Sequence, residues 1–269
     1  MTSIVGVLCS DGVVIGSDSA ATLDNGQFRT IEQLTEKIDI VGSAIIVAGT
    51  GSIGLHQRFT SVISKAYDGS LLQTLPGHMG GPNRPPITGK VFDKGKPLEI
   101  AKTLSRAALE DMALTYAKVG QYAALVAYPS RSEPHLCEFL IGDFQPELKE
   151  KERLWFASLG SAQAITDPFL GFIRRAFWGG GVPSVSDAIF AVTWTLQHAI
   201  DLNTGGVKDP IHIAILENIA GEFKARTLDP EELQEHYQNI EETYSGLRSI
   251  RERQRSTSAE VIPDVPKLG

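Results

Sequence analysis

The sequence predicts an α+β protein, and three features carry that prediction. Short β-branched runs joined by tight turns open the chain, longer segments with helical apolar spacing follow, and the chain closes on two more strands and an amphipathic helix.

Residues 4–9 and 13–17 are apolar and β-branched, and Ser10-Asp11-Gly12 between them is a turn of the kind that closes a hairpin. Apolar residues stand at almost every position of both runs, so their sheet is expected to be covered on both faces. After a polar connection containing Asp24-Asn25-Gly26, residues 37–41 and 44–48 read as a second hairpin turning at Gly42-Ser43. Gly49-Thr50-Gly51 then breaks into residues 52–67, where Ile53, Phe59, Val62 and Ile63 are spaced to share one helical face. The composition of residues 68–97 shifts to Gly and Pro over a length that suits a functional or mobile loop. A second helix is expected at about 98–117, and strands at 122–128, 135–141 and 153–157. Helices are expected at 161–177, with Asp167-Pro168 capping a fresh start, and at 184–202, opened by Pro183-Ser184. Strands at 211–216 and 222–227 close the sheet.

The tail differs in kind. Asp229 is expected to cap a helix with Pro230 in its first position, acids Glu231, Glu232 and Glu235 early, and Arg248, Arg251, Arg253 and Arg255 late, a polarity that complements the helix dipole. Leu233, Tyr237, Ile240, Tyr244, Leu247 and Ile250 form a narrow apolar stripe that needs a partner surface. The expected organisation is one domain over residues 1–228 with the Gly/Pro insertion at about 68–97, a C-terminal helix at 229–255 and a flexible tail at 256–269.

Composition excludes several classes of function. With 32 acids against 25 bases and a net charge of -7, the chain has no nucleic-acid footprint. Cys9 and Cys137 lie inside apolar runs and are expected to be reduced and buried. The N-terminal region lacks the basic start of a signal peptide, and no apolar run approaches the roughly 20 residues of a membrane span, so a cytoplasmic location without membrane contact is the expectation.

The candidate chemistry lies in the first fifty residues. Met1 precedes the small residue Thr2, so methionine removal would place a free amine and a hydroxyl on one residue, which can then be both nucleophile and base. Asp18 ends an apolar strand, where a carboxylate is costly unless paired, and Lys37 opens another. From spacing alone, a structural ion pair is the better reading of these two.

The stretches Thr2-Ser3-Ile4-Val5-Gly6-Val7, Asp11-Gly12-Val13-Val14-Ile15-Gly16-Ser17-Asp18-Ser19-Ala20-Ala21-Thr22, Glu36-Lys37-Ile38, Ala48-Gly49, Ser158-Leu159-Gly160-Ser161 and Asp201-Leu202-Asn203-Thr204-Gly205-Gly206 change that balance. Together and in this order they resemble the proteasome β-subunits and their bacterial relatives, N-terminal-nucleophile (Ntn) threonine peptidases, over residues 2 to 217. The resemblance implies a four-layer αββα sandwich of two antiparallel sheets, which suits strands that are apolar throughout. It also implies stacked homo-oligomeric rings around an inner chamber, with unfolded protein or peptide as substrate, an ATP-dependent unfoldase as a possible partner, and no cofactor. By the same resemblance Thr2 is the nucleophile, Asp18 and Lys37 are the buried pair beside it, and Gly49 offers its N–H to the oxyanion. Ser161, Asp201 and Thr204 resemble the group that orients the threonine amine, Thr204 standing where serine is usual. Ala21, Thr22, Thr35, Val47 and Gly51 are expected to line a rather small pocket for the residue before the cut, and Ala20 replaces a common arginine. Taken alone, Asp201 reads equally as part of a helix C-terminus.

Two alternatives stay open: a catalytically inert ring scaffold, and an Ntn amidohydrolase acting on a small amide. Other features carry less. The six histidines show no metal-ligand spacing, so no metal is expected. Ser130 and Ser132 lack a nucleophile elbow, and the tryptophans read as core or interface aromatics. Gly49-Thr50-Gly51-Ser52-Ile53-Gly54 imitates a dinucleotide fingerprint but lacks the βαβ unit that should carry it.

Overall fold

The computed structural model describes residues 2–24, 29–71, 90–115, 119–179, 181–202 and 206–259. The chain opens with β1 (Ser3–Leu8) and β2 (Gly12–Ser17), whose residues are all buried, followed by a short ribbon of β3 (Ala20–Asp24) and β4 (Arg29–Leu34). Next come β5 (Ile38–Val41), β6 (Ile45–Gly51) and the helices α1 (Ile53–Asp68), α2 (Val91–Lys94) and α3 (Pro97–Ala113). Strands β7 (Tyr122–Ser130), β8 (Glu133–Phe139), β9 (Pro146–Leu148) and β10 (Phe156–Gly160) lead into α4 (Gln163–Phe177) and α5 (Val185–Asp201). The chain ends with β11 (His212–Ile219), β12 (Glu222–Thr227) and α6 (Glu232–Ala259).

These elements make an α+β architecture with two five-stranded antiparallel sheets, ordered β10-β1-β2-β11-β12 and β5-β6-β7-β8-β9. Helices α4 and α5 pack on the first sheet and α1, α2 and α3 on the second, while β1 and β2 also meet β6 and β8 across the interior. One apolar cluster therefore joins Ile4, Val7 and Ile15 to Ile46, Leu125 and Leu136, and a second joins Val47, Val126 and Phe139 to Phe59, Ile63 and Leu104. This double burial is why β1, β2 and β7 read as unbroken apolar runs; each fully buried aliphatic side chain contributes about 1.5–3 kcal/mol.

Local chemistry fixes the helix ends that matter here. Ser52 caps α1 by accepting from Leu55 N–H, and Ser184 with Asp187 forms a reciprocal capping box on α5. Several sequence expectations are corrected. Asn25 and Gly26 of the expected polar connection lie outside the described residues; it is bracketed by β3 and β4, which among the described residues pair with each other and give little hydrophobic signal. The strand expected at 153–157 is Phe156–Gly160, and the three-residue β9 has no counterpart in the reading. Helix α4 continues through Pro168 instead of restarting there. Helix α6 begins at Glu232, after a turn in which Glu232 N–H donates to Asp229 O and the Glu232 carboxylate accepts from Asp229 N–H.

The first half of α6 uses its stripe against α4 and α5. Ile240 joins Ile173, Ala191 and Trp194 in a small cluster, and Trp194 Nε1–H donates to Tyr244 Oη at 2.9 Å. Leu247 and Ile250 further along are 50% and 47% exposed, so the stripe is only partly covered. Cys9 and Cys137 are free and buried, and burial raises both thiols above their ordinary values. Among the described residues, no helix is long and apolar enough to cross a membrane.

Candidate active site

The register of the first sheet builds the site. Ser3 pairs with Gly160 at the edge where β1 begins, so Thr2 projects past the strand beside Gly160 and Ser161. Gly160 sits at φ +98°, and a Cβ there would lie 2.0 Å from Thr2 O, so only glycine lets β10 end against Thr2. The backbone nitrogen of Thr2 lies 3.3 Å from Ser161 Oγ, which itself donates to Thr2 O at 3.4 Å.

Asp18, fully buried just past the end of β2, is held by four donors. Oδ1 accepts from Ser3 N–H at 2.8 Å and from the Lys37 ammonium, and Oδ2 accepts from Ala20 N–H at 3.0 Å and Lys208 N–H at 3.4 Å. A carboxylate in the core is tolerable with this many hydrogen bonds and a cation against it. Lys37 is 6% exposed; burial pulls its ammonium below the ordinary lysine value, and Asp18 opposes that pull. The pair is a firm anchor between the two sheets, since Asp18 leaves β2 and Lys37 enters β5.

A cavity of about 300 Å³ reaches the Lys37 side of this pair. Of the residues expected at the site, Thr2, Lys37, Gly49, Ser161, Ala21, Thr35 and Gly51 line it. Val47 does not: it is fully buried in the cluster that holds α1 against the second sheet. Strand alternation puts it on the face opposite Ile46 and Ala48, deeper in the strand than Gly49 and packed under α1. Asp201 does not line the cavity either. It is exposed, accepts from Gln197 Nε2–H at 2.7 Å one helical turn away, and lies near Asp209, whose carboxyl is pushed up by burial and then by the Asp201 charge. Thr204 and the side chain of Thr22 lie outside the described residues. The Gly49 N–H faces Lys37 O at a long 3.3 Å.

The sequence reading missed part of the wall. His56 lines the cavity from the first turn of α1, with Nε2 2.9 Å from Asp39 Oδ2 and Nδ1 2.8 Å from Tyr122 Oη. These partners come from β5 and β7, so no local spacing announces them. Among the described residues no group of His, Cys, Asp or Glu is placed to hold a metal. What the site offers is a hydroxyl and a backbone nitrogen on one residue, beside a buried cation and a concavity large enough for a side chain.

The fold and site thus define an α+β protein of paired antiparallel sheets with its candidate chemistry at the start of the first strand. Solved structures of Anbu from Hyphomicrobium sp. strain MC1 are similar in fold: a Gly-1 mutant matches with a TM-score of 0.63 at 13% identity over 100% of both chains. Another Anbu structure from the same strain matches with the same score and identity over 98% of this chain and 100% of that one. No family model and no curated protein matches the sequence. Membership of the proteasome β-subunit family, implied by the motif resemblance, is therefore corrected: the motifs recur without a family-level match, and the likeness to Anbu is one of fold.

Proposed function

We propose that this chain is a threonine peptidase subunit of a self-compartmentalised homo-oligomeric ring, acting on unfolded chains or peptides in the cytoplasm. The fold reading is the Ntn-hydrolase sandwich, four layers deep, formed by residues 1–228 with the insertion at about 68–97. The C-terminal helix, expected at 229–255 and found as α6 at Glu232–Ala259, and the tail expected from 256 are additions to it, and an ATP-dependent unfoldase is a compatible partner.

The observation that carries the reading is the convergence of Thr2, Lys37 and Ser161 on one cavity, with Lys37 paired to the buried Asp18. Once Met1 is removed, the nitrogen 3.3 Å from Ser161 Oγ is an α-amine, whose ordinary pKa is near 8. The Lys37 charge disfavours its protonated form, so at neutral pH it takes the proton of the Thr2 hydroxyl as Oγ1 attacks a peptide carbonyl. The C–N bond breaks, the leaving amine receives that proton, and the acyl chain remains as an ester on Thr2. A water activated by the same amine then attacks the ester, releasing the acid and restoring the hydroxyl. Positioned proton transfer of this kind typically contributes about 10²–10⁴ in rate.

A second reading, an inert ring scaffold, draws on two observations: Asp201 is engaged by Gln197, and the Gly49 N–H faces Lys37 O. Incubation with a β-lactone or vinyl-sulfone probe separates the two. The peptidase reading expects wild-type labelling that Thr2→Ala abolishes; equal labelling of both proteins refutes it.

A further inference from the structure

Behind the cavity wall, Tyr122, His56 and Asp39 form a hydrogen-bonded chain that the peptidase chemistry does not use. Asp39 Oδ2 lies 2.9 Å from His56 Nε2 and accepts from Thr60 Oγ1 at 3.2 Å; His56 Nδ1 lies 2.8 Å from Tyr122 Oη. Tyr122 is fully buried against Phe59 and Phe144, and burial raises its phenol well above the ordinary value, so it keeps its proton. The Asp39 carboxyl is held below the ordinary range, first by the hydrogen bond from His56. With Asp39 ionised, Nε2 carries the imidazole proton and donates to the carboxylate, and in the neutral ring Nδ1 accepts from Tyr122 O–H. Both ends of the ring are fixed.

The chain runs directly against Gly49. A Cβ at that position would stand 2.4 Å from His56 Nδ1 and 2.6 Å from Tyr122 Oη, so the backbone of β6 rests on these two polar atoms where it enters the cavity. Packing alone does not call for this arrangement, because phenylalanine would fill the Tyr122 site among its aromatic neighbours equally well.

We propose that His56 is a positioning residue for the Gly49 backbone, clamped by Asp39 and Tyr122 so that β6 meets the scissile carbonyl in a fixed place. The proposal rests on the peptidase reading above, with Gly49, Thr50 and Gly51 as the backbone wall of the cavity in which the substrate carbonyl would lie. Misplacement of such backbone by a fraction of an ångström costs rate more than binding.

The test uses Tyr122→Phe, which deletes only the hydroxyl, and Asp39→Asn, each in the full chain with the β-lactone probe. Both variants should lower the limiting rate of Thr2 acylation by about 10-fold or more while leaving the probe's KI within about twofold. Unchanged limiting rates, with only thermal stability lowered, would overturn the proposal. If the wild-type protein itself is not labelled, the peptidase reading fails separately, and amide hydrogen exchange over residues 49–51 then decides. Faster exchange in Tyr122→Phe supports the positioning role, and identical exchange overturns it.

Discussion

The backbone nitrogen of Thr2 lies 3.3 Å from Ser161 Oγ across 159 residues of sequence. The contact is a product of sheet register: β1 pairs with β10 so that Ser3 faces Gly160, and the next residue on each strand meets its counterpart at the sheet edge. Slipping that register by one residue would turn every side chain of β1 to the other face. The candidate nucleophile is therefore placed by the most deeply buried part of the fold.

Lys37→Ala should remove both chemistry and stability. Without the ammonium, Asp18 keeps three backbone donors but stays buried with its charge uncompensated. Breaking a buried pair in this way typically costs about 3–5 kcal/mol. Urea unfolding should report a loss of that order, and probe labelling should fall by about 10² or more. In the wild type, the depressed lysine value places the alkaline decline in labelling below the ordinary pKa of about 10.4, because the cation is lost as pH rises through it.

Asp39→Asn should show a pH-dependent cost. A carboxyl whose folded-state pKa is depressed stabilises above its unfolded value and loses that contribution as pH falls through the folded value. Thermal midpoints of mutant and wild type should thus differ at pH 7 and converge as pH drops from about 5 toward 3. Asp39 is half exposed, so the difference is modest and shrinks with salt.

Gly49→Ala should be poorly tolerated. Its methyl would press on His56 Nδ1 and on Tyr122 Oη, and the Tyr122 ring is locked among aromatics. Overpacking of this kind costs about 1–3 kcal/mol. Chemical denaturation should show that loss, with labelling reduced by more than the small fraction of unfolded protein explains.

Leu247→Ser with Ile250→Ser should leave the monomer fold intact and weaken assembly. Both side chains are half exposed on the second half of α6, beyond the Tyr244–Trp194 contact. Exposed apolar stripes of this kind mark interaction surfaces. Native mass spectrometry should show smaller species for the double mutant, whereas an unchanged distribution would remove α6 from the interface.

What could be read from sequence follows burial. Strands β1, β2 and β7 were legible because both of their faces are covered, which writes apolarity into every position. Asp18 and Lys37 were legible because charges stand out in such runs, although their spacing alone favoured a structural pair. The polar ribbon of β3 and β4 left no comparable trace, and Val47 was misplaced because the face of a strand buried on both sides does not show in its hydrophobicity. His56 was invisible for another reason: its meaning lies in Asp39 and in Tyr122, 66 residues away, on strands brought together only by the second sheet. Asp201 is the opposite case, a motif residue that does not line the cavity and accepts from Gln197 on its own helix.

The most direct test of the central claim is peptide mapping of the β-lactone-treated protein by mass spectrometry. A Thr2 nucleophile gives an N-terminal peptide that begins at Thr2, lacks Met1 and carries the adduct on the threonine. A peptide that retains Met1 and carries no adduct would contradict it.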